Sequence, residues 1–282
     1  MNLSRSLPLL MIWTNSYERL TWTTLLVLIA LEVDSPEALA YAASAYSAAN
    51  LAGNVAFGSM SDRLGRFRVA GFALLALAVT TLVHLRVTSA LFLVLLRAFH
   101  GFFAAAVTPS SLAAASDHSA PESRGQSMAR VGLMIAIASI LAPPVTGRLI
   151  DGAGLASTIW IQTLYLALVG ATAFLVRTQG VQAGGAVEAA AAPSEAGETE
   201  GSTGSGIDPR IALFACLIGF TVMFGQNILF YALPLKAVDA GLRASAIGSL
   251  FGVFAVGAAI AFMPPLSRLA DRYGRLRPIV LG

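Results

Sequence analysis

The chain has 282 residues, 56% of them hydrophobic and 12% charged, with a net charge of +3 and a mean hydropathy of +0.74. Such hydropathy excludes an ordinary soluble domain, and the basic residues fall in short segments between apolar runs, which excludes a nucleic-acid-binding face. The one cysteine, Cys216, excludes an internal disulfide. Apolar stretches of about 20 residues, the length that crosses a hydrocarbon core of about 30 Å, recur along the chain. They lie at approximately 7–31, 36–60, 69–87, 89–112, 126–149, 156–177, 210–234 and 243–265.

The first span follows Arg5, as the apolar core of a signal peptide would, but Glu18 and Arg19 interrupt it, so it reads as a retained helix. Glu18 falls about eleven residues, or roughly 16 Å, inside the span. It is the one carboxylate well inside any span. Thr14, Asn15, Thr21 and Trp22 lie three or four positions away, a polar and aromatic face unsuited to lipid. The second span carries Tyr46, Asn50 and Asn54 at i, i+4 and i+8 and runs into "GSMSDRLGRFR", Gly58 to Arg68. Topology needs positive charge there but not an Asp-Arg-x-Gly-Arg order. Gly65 permits a tight reversal, and Asp62 can accept hydrogen bonds where helices converge.

His84, near a span end, and His118, in a loop, read as solvated. The fourth span holds Arg97 about eight residues, or roughly 12 Å, inside, where an unpaired guanidinium is costly. His100, Gly101, Ala104, Thr108 and Ser111 follow on the same face, a polar strip whose small residues admit a neighbouring helix. The opposite charge for Arg97 is Glu18, which also has Arg19 beside it in sequence. Two readings stay open: a structural ion pair, or a pair whose separation lets Glu18 take up a proton in one state and release it in another. The fifth span contains "ASILAPPVTG", Ala138 to Gly147, whose proline pair reads as a kink in a packed helix.

Residues 178–209, rich in Gly, Ala, Ser and Glu, read as a flexible linker between a six-span unit at 1–177 and a second unit at 210–282. Gln226, Asn227 and Tyr231 cluster on the seventh span. With Asn15, Trp22, Tyr46, Asn50, Asn54 and His100 they are the candidate lining of a substrate cavity, although intramembrane Asn and Gln also serve as interhelical glue. Gly248 and Gly252 on the eighth span read as marks of close packing. After it, "SRLADRYGRLR" from Ser267 repeats the basic turn with Asp271, Arg272, Gly274 and Arg275. The closing "RPIVLG" reads as the start of another span, so the chain reads as truncated.

Six spans separate the two turns, which puts both on the same side and marks a parallel internal repeat. Twelve basic residues fall on that side and four, Arg86, Arg148, Lys236 and Arg243, on the other. The positive-inside rule then places the N-terminus and both turns in the cytoplasm.

Both turns resemble the loop signature of the major facilitator superfamily, Gly-x-Leu-x-Asp-Arg-x-Gly-Arg-Arg/Lys, which that family carries between helices 2 and 3 and again between helices 8 and 9. Met60 stands in place of the Leu and Ser267 in place of the leading Gly. "LLRAFHGFFAAA", Leu95 to Ala106, is similar to the family's Arg-x-x-x-Gly pattern followed by small residues. The helix 5 string matches the Gly-x-x-x-Gly-Pro-x-x-Gly-Gly of the drug:proton antiporter branch only at Pro143 and Gly147.

This resemblance implies an all-α polytopic membrane fold with a six-helix N-terminal half and the start of a second. It implies a secondary transporter of the plasma (inner) membrane rather than an enzyme, with no cofactor and no metal. Its partners would be a small-molecule substrate, protons and the lipid bilayer, without nucleic acid, and the chain would be a monomer. Gly58, Asp62, Arg63, Gly65 and Arg66, with Asp271, Arg272, Gly274 and Arg275, are expected to latch the halves in one state of an alternating-access cycle. Glu18 and Arg97 are expected to couple protons to the efflux of small amphipathic compounds. Proton-coupled uptake of a sugar or metabolite stays open, as does a truncated membrane protein that binds without transporting. The sequence holds no HExxH, no phosphate-binding GxxxxGK and no Cys/His metal constellation that would point to an intramembrane enzyme.

Overall fold

The computed structural model describes residues 3–32, 35–117, 124–175 and 209–261, and every regular element among them is helical. Helix α1 is Leu3–Glu32, α2 is Pro36–Leu64, α3 is Arg66–Val83 with a 3-10 turn at His84–Arg86, and α4 is Ala90–Asp117. The fifth and sixth spans form one helical run, Arg124–Leu175, broken at Gly154 (φ 84°, ψ 164°). Its arm before that glycine is α5 and its arm after it is α6. At 1.5 Å per residue the 52 residues would be more than twice the thickness of a bilayer core, so the run crosses twice by turning at a position that favours glycine. Helix α7 is Pro209–Asp239 and α8 is Ala244–Ala261.

Among the described residues, Arg66–Arg86, Ala90–Asp117 and Arg130–Leu175 are long and apolar enough to cross a membrane, and Ala244–Gly257 is a shorter apolar helix. Glu18 and Arg19 in α1, and Asn50 and Asn54 in α2, make those two helices more polar. Most of the linker and the whole second basic turn, with Asp271, Arg272, Gly274 and Arg275, lie outside the described residues, as does His118.

Lipid tails are as apolar as leucine, so helices in a bilayer are joined by close packing and interhelical hydrogen bonds. Glycine sets the closest approaches. A Cβ on Gly101 of α4 would run into the backbone of Tyr46 in α2, and one on Gly53 of α2 would run into Phe102 O and the Ala105 Cβ of α4. Gly71 of α3 meets Phe174 and Gly170 of α6 in the same way. Helix α5 packs on α8 through Gly147 against Ala244 and Ser245, and through Gly248 and Gly252 against Pro143 and Ile140. The buried core runs through these contacts. One cluster joins Leu7 and Met11 of α1 to Leu74 and Leu77 of α3, and a second joins Trp22, Leu25 and Ile29 of α1 to Leu39, Leu93 and Ile159.

Candidate functional site

Helices α1, α2, α3 and α4 enclose a cluster of buried polar side chains. Glu18, Arg97 and His100 are 1%, 3% and 0% exposed. The sequence pairs Glu18 with Arg97, but the side chain that meets Glu18 is His100, through Nε2 and Oε1. His100 and Arg97 are three residues apart and share the face of α4 that turns toward α1, so either can approach the carboxylate. Arg97 is held differently. Its guanidinium carbon lies 4.7 Å from the Trp22 ring centre and 4.5 Å from that of Tyr46. Each such contact contributes up to about 2 kcal/mol when desolvated. Arg97 Nε and Nη1 and Glu18 Oε2 have no hydrogen-bond partner among the described residues.

The hydrogen bonds around His100 count its protons. The Thr80 hydroxyl donates to Leu77 O at 3.0 Å, because a carbonyl only accepts. That commits its one hydrogen, so at the 3.1 Å contact with His100 Nδ1 the imidazole is the donor. With Nδ1 protonated, the Nε2 contact to Glu18 holds one further proton: imidazolium with carboxylate, or neutral imidazole with carboxylic acid. The pair is neutral overall in both forms. Removing that proton leaves the lone pairs of Nε2 and Oε1 facing each other, and the contact becomes repulsive.

His84 corrects the sequence expectation. It is not solvated but 3% exposed, donating Nδ1–H to Thr80 O at 2.6 Å, with its ring centre 4.2 Å from that of Trp22 and 5.7 Å from that of His100. The chain leaves α3 through a 3-10 turn that folds His84 back over its own last turn. A histidine beside a run of apolar residues gave no sequence signal for this. Thr80 was missed for the same reason.

The other candidate lining residues divide. Asn15 Nδ2 donates to Thr108 Oγ1 at 2.6 Å, joining α1 to α4, and Asn50 Nδ2 donates to Gly101 O at 3.0 Å, joining α2 to α4. Asn54 is exposed and donates to Asn50 Oδ1 at 3.2 Å. Trp22 and Tyr46 are buried against Arg97, and Tyr231 of α7 packs half-buried on the Trp22 cluster. Gln226 and Asn227 lie in α7, with side chains outside those described.

At the first basic turn, Gly65 (φ 96°) separates α2 from α3 with its N–H on Ser61 O at 3.2 Å. Gly58 is exposed on α2 and Arg63 is exposed. Arg66 contacts Asp62 at 3.0 Å through Nη1 and Asp117 at 2.5 Å through Nε. Asp117, at the end of α4, is a partner that sequence reading did not supply, since it lies 51 residues from Arg66.

No metal-binding group of three or more His, Cys, Asp or Glu occurs among the described residues. No curated protein matches the chain. The sequence model of the Major Facilitator Superfamily matches residues 9–282, and that family's membrane-spanning helical fold agrees with the helices of this chain. With nearly its whole length covered, the chain belongs to the Major Facilitator Superfamily, the secondary transporters that carry small molecules across membranes.

Proposed function

We propose that the chain exports small amphipathic organic compounds across the inner membrane by alternating access, driven by protons carried on Glu18. The observation that supports this reading is the buried Glu18–His100 contact, which holds one exchangeable proton beside the fixed charge of Arg97. In the protonated state the contact draws α1 and α4 together. Loss of the proton makes it repulsive and favours their separation, so proton release and helix movement become one event. Arg97, between Trp22 and Tyr46, places a fixed positive charge in the same buried cluster. In this reading the N-terminus and the Asp62–Arg66 turn are cytoplasmic, and the turn latches one state of the cycle through Arg66.

The experiment is substrate accumulation in proteoliposomes under an imposed pH gradient, beside exchange without one. Glu18→Gln keeps the shape but cannot ionise, so it should keep exchange of a neutral substrate and lose gradient-driven accumulation. Arg97→Ala should be the more damaging, impairing both. Full accumulation by the Glu18→Gln protein would return Glu18 to a structural role.

A further inference from the structure

A second site lies on the neighbouring face of α1. Trp13, Tyr17 and Thr21, Thr146 of α5, and Gln162 and Tyr165 of α6 are among the walls of a cavity of about 270 Å³. Positions 13, 17 and 21 centre about 120° around the helix from Glu18 and Trp22, with Thr21 the nearest to Glu18 at about 60°, so this cavity adjoins the charge cluster on the next face of α1. None of the lining residues among those described is charged. Trp13 and Tyr17 stack with centres 6.5 Å apart, and Tyr165 stands edge-on to Tyr17 at 6.2 Å, which makes one wall aromatic.

The polar lining groups are unevenly satisfied. Thr21 and Thr146 bond each other at 3.0 Å, and the Tyr165 hydroxyl bonds Thr14 at 2.9 Å. Gln162 is 4% exposed, yet neither its amide nitrogen nor its amide oxygen has a partner among the described residues. A buried carboxamide with both functions free is rare in proteins, and each such group calls for an explanation. The cavity beside it supplies one.

We propose that this cavity binds a neutral amphipathic molecule that carries a planar amide, urea or lactam next to an aromatic body. The absence of lining charge selects against ions. The free donor and free acceptor of Gln162 match the acceptor and donor of an amide, and the aromatic wall takes the flat apolar part. Water would satisfy the carboxamide but not the rings. Equilibrium binding needs no gradient, so this site stands or falls separately from the proton-coupled reading.

The test is binding of tritiated benzanilide to the purified full chain in nanodiscs, with competition by phenyl benzoate and by tetraphenylphosphonium. Phenyl benzoate keeps the shape but has an ester in place of the amide and so lacks the N–H. Saturable benzanilide binding is expected, with the ester about tenfold weaker, the equivalent of one lost hydrogen bond. Tetraphenylphosphonium should compete more weakly than either. Gln162→Leu removes the donor that both carbonyls use and the acceptor that only the amide uses, so it should weaken both ligands and abolish the difference between them. Where that variant does not fold, the amide-to-ester ratio on the unaltered chain is itself the reading. Equal affinity for amide and ester, a preference that survives Gln162→Leu, stronger competition by the cation, or no saturable benzanilide binding would each overturn the proposal, the last leaving a cavity that holds only water.

Discussion

Arg66 at the start of α3 binds Asp117 at the end of α4, 2.5 Å through Nε, while its Nη1 holds Asp62 on the last turn of α2. One guanidinium thus ties three helix ends. The side chains of Asp62 and Asp117 are 39% and 25% exposed, so the ties add little to static stability. They suit a contact that forms in one state and breaks in another. Asp62→Asn and Asp117→Asn are therefore both expected to slow flux several-fold and to leave equilibrium substrate affinity within a few fold. Parallel measurement of flux and binding checks this, and an affinity collapse with unchanged exchange rate would remove the latch.

The α2–α4 contact depends on absent side chains. Gly101→Ala and Gly53→Ala would each drive a methyl group into the backbone of the facing helix. Overpacking of this kind costs about 1–3 kcal/mol. Gly132 on α5 has nothing within 4 Å of its Cβ position, so Gly132→Ala should be neutral or gain up to about 1 kcal/mol of helix propensity. Thermal unfolding of the detergent-solubilised proteins separates the two classes. Equal melting of Gly101→Ala and the parent would show that the two helices stand further apart than described.

The helices were legible because a bilayer imposes one length on every apolar run, and the spans differ from the observed elements by only a few residues at most ends. The glycines of α8 were legible as packing sites too. Glu18 and Arg97 stood out as charges in apolar sequence, but their partners did not. His100 was visible as polar yet ranked behind an arginine, because sequence spacing gives the face of a helix and not the reach of its side chains. Thr80 and His84 became visible only through the packing of α3 on α4, and Gln162 only through the turn at Gly154 that lays α6 beside α1.

Asp151 lies at the turn between the fifth and sixth spans, where its carboxylate accepts the Ser245 N–H at 3.1 Å, next to the first residue of α8. The Ser245 side chain, then the Ser245 and Ala244 backbone N–H groups, hold this carboxyl below its ordinary range. A lowered folded value means the contact contributes its full share above the usual carboxylate range, near pH 4, and loses it as pH falls through the lower folded value. Asp151→Ala should therefore lower the melting temperature at neutral pH, and the difference from the parent should shrink in acid. A difference that is constant with pH would assign the effect to lost packing instead.

Thr80 offers the sharpest test of proton coupling, because it touches the Glu18–His100 pair without itself carrying a mobile proton. Its hydroxyl, committed to Leu77 O, fixes the hydrogen of His100 on Nδ1. When the shared proton leaves, Nε2 therefore cannot keep a hydrogen, and the contact with Glu18 turns repulsive. In Thr80→Val the acceptor for Nδ1–H is gone. A deprotonated pair can then move its remaining hydrogen to Nε2, donate it to the Glu18 carboxylate and stay closed. Both titratable groups remain, as do Arg97, Tyr46, His84 and Tyr231 around them, yet proton release no longer forces α1 from α4. Thr80→Val should accordingly fold, bind substrate and exchange it, while gradient-driven accumulation falls several-fold. Thr80→Ser, which restores the hydroxyl, should recover it. Paired accumulation and exchange assays in proteoliposomes measure both quantities. Undiminished accumulation by Thr80→Val would mean that the tautomer of His100 does not govern coupling, and loss of exchange along with accumulation would show that Thr80 serves packing alone.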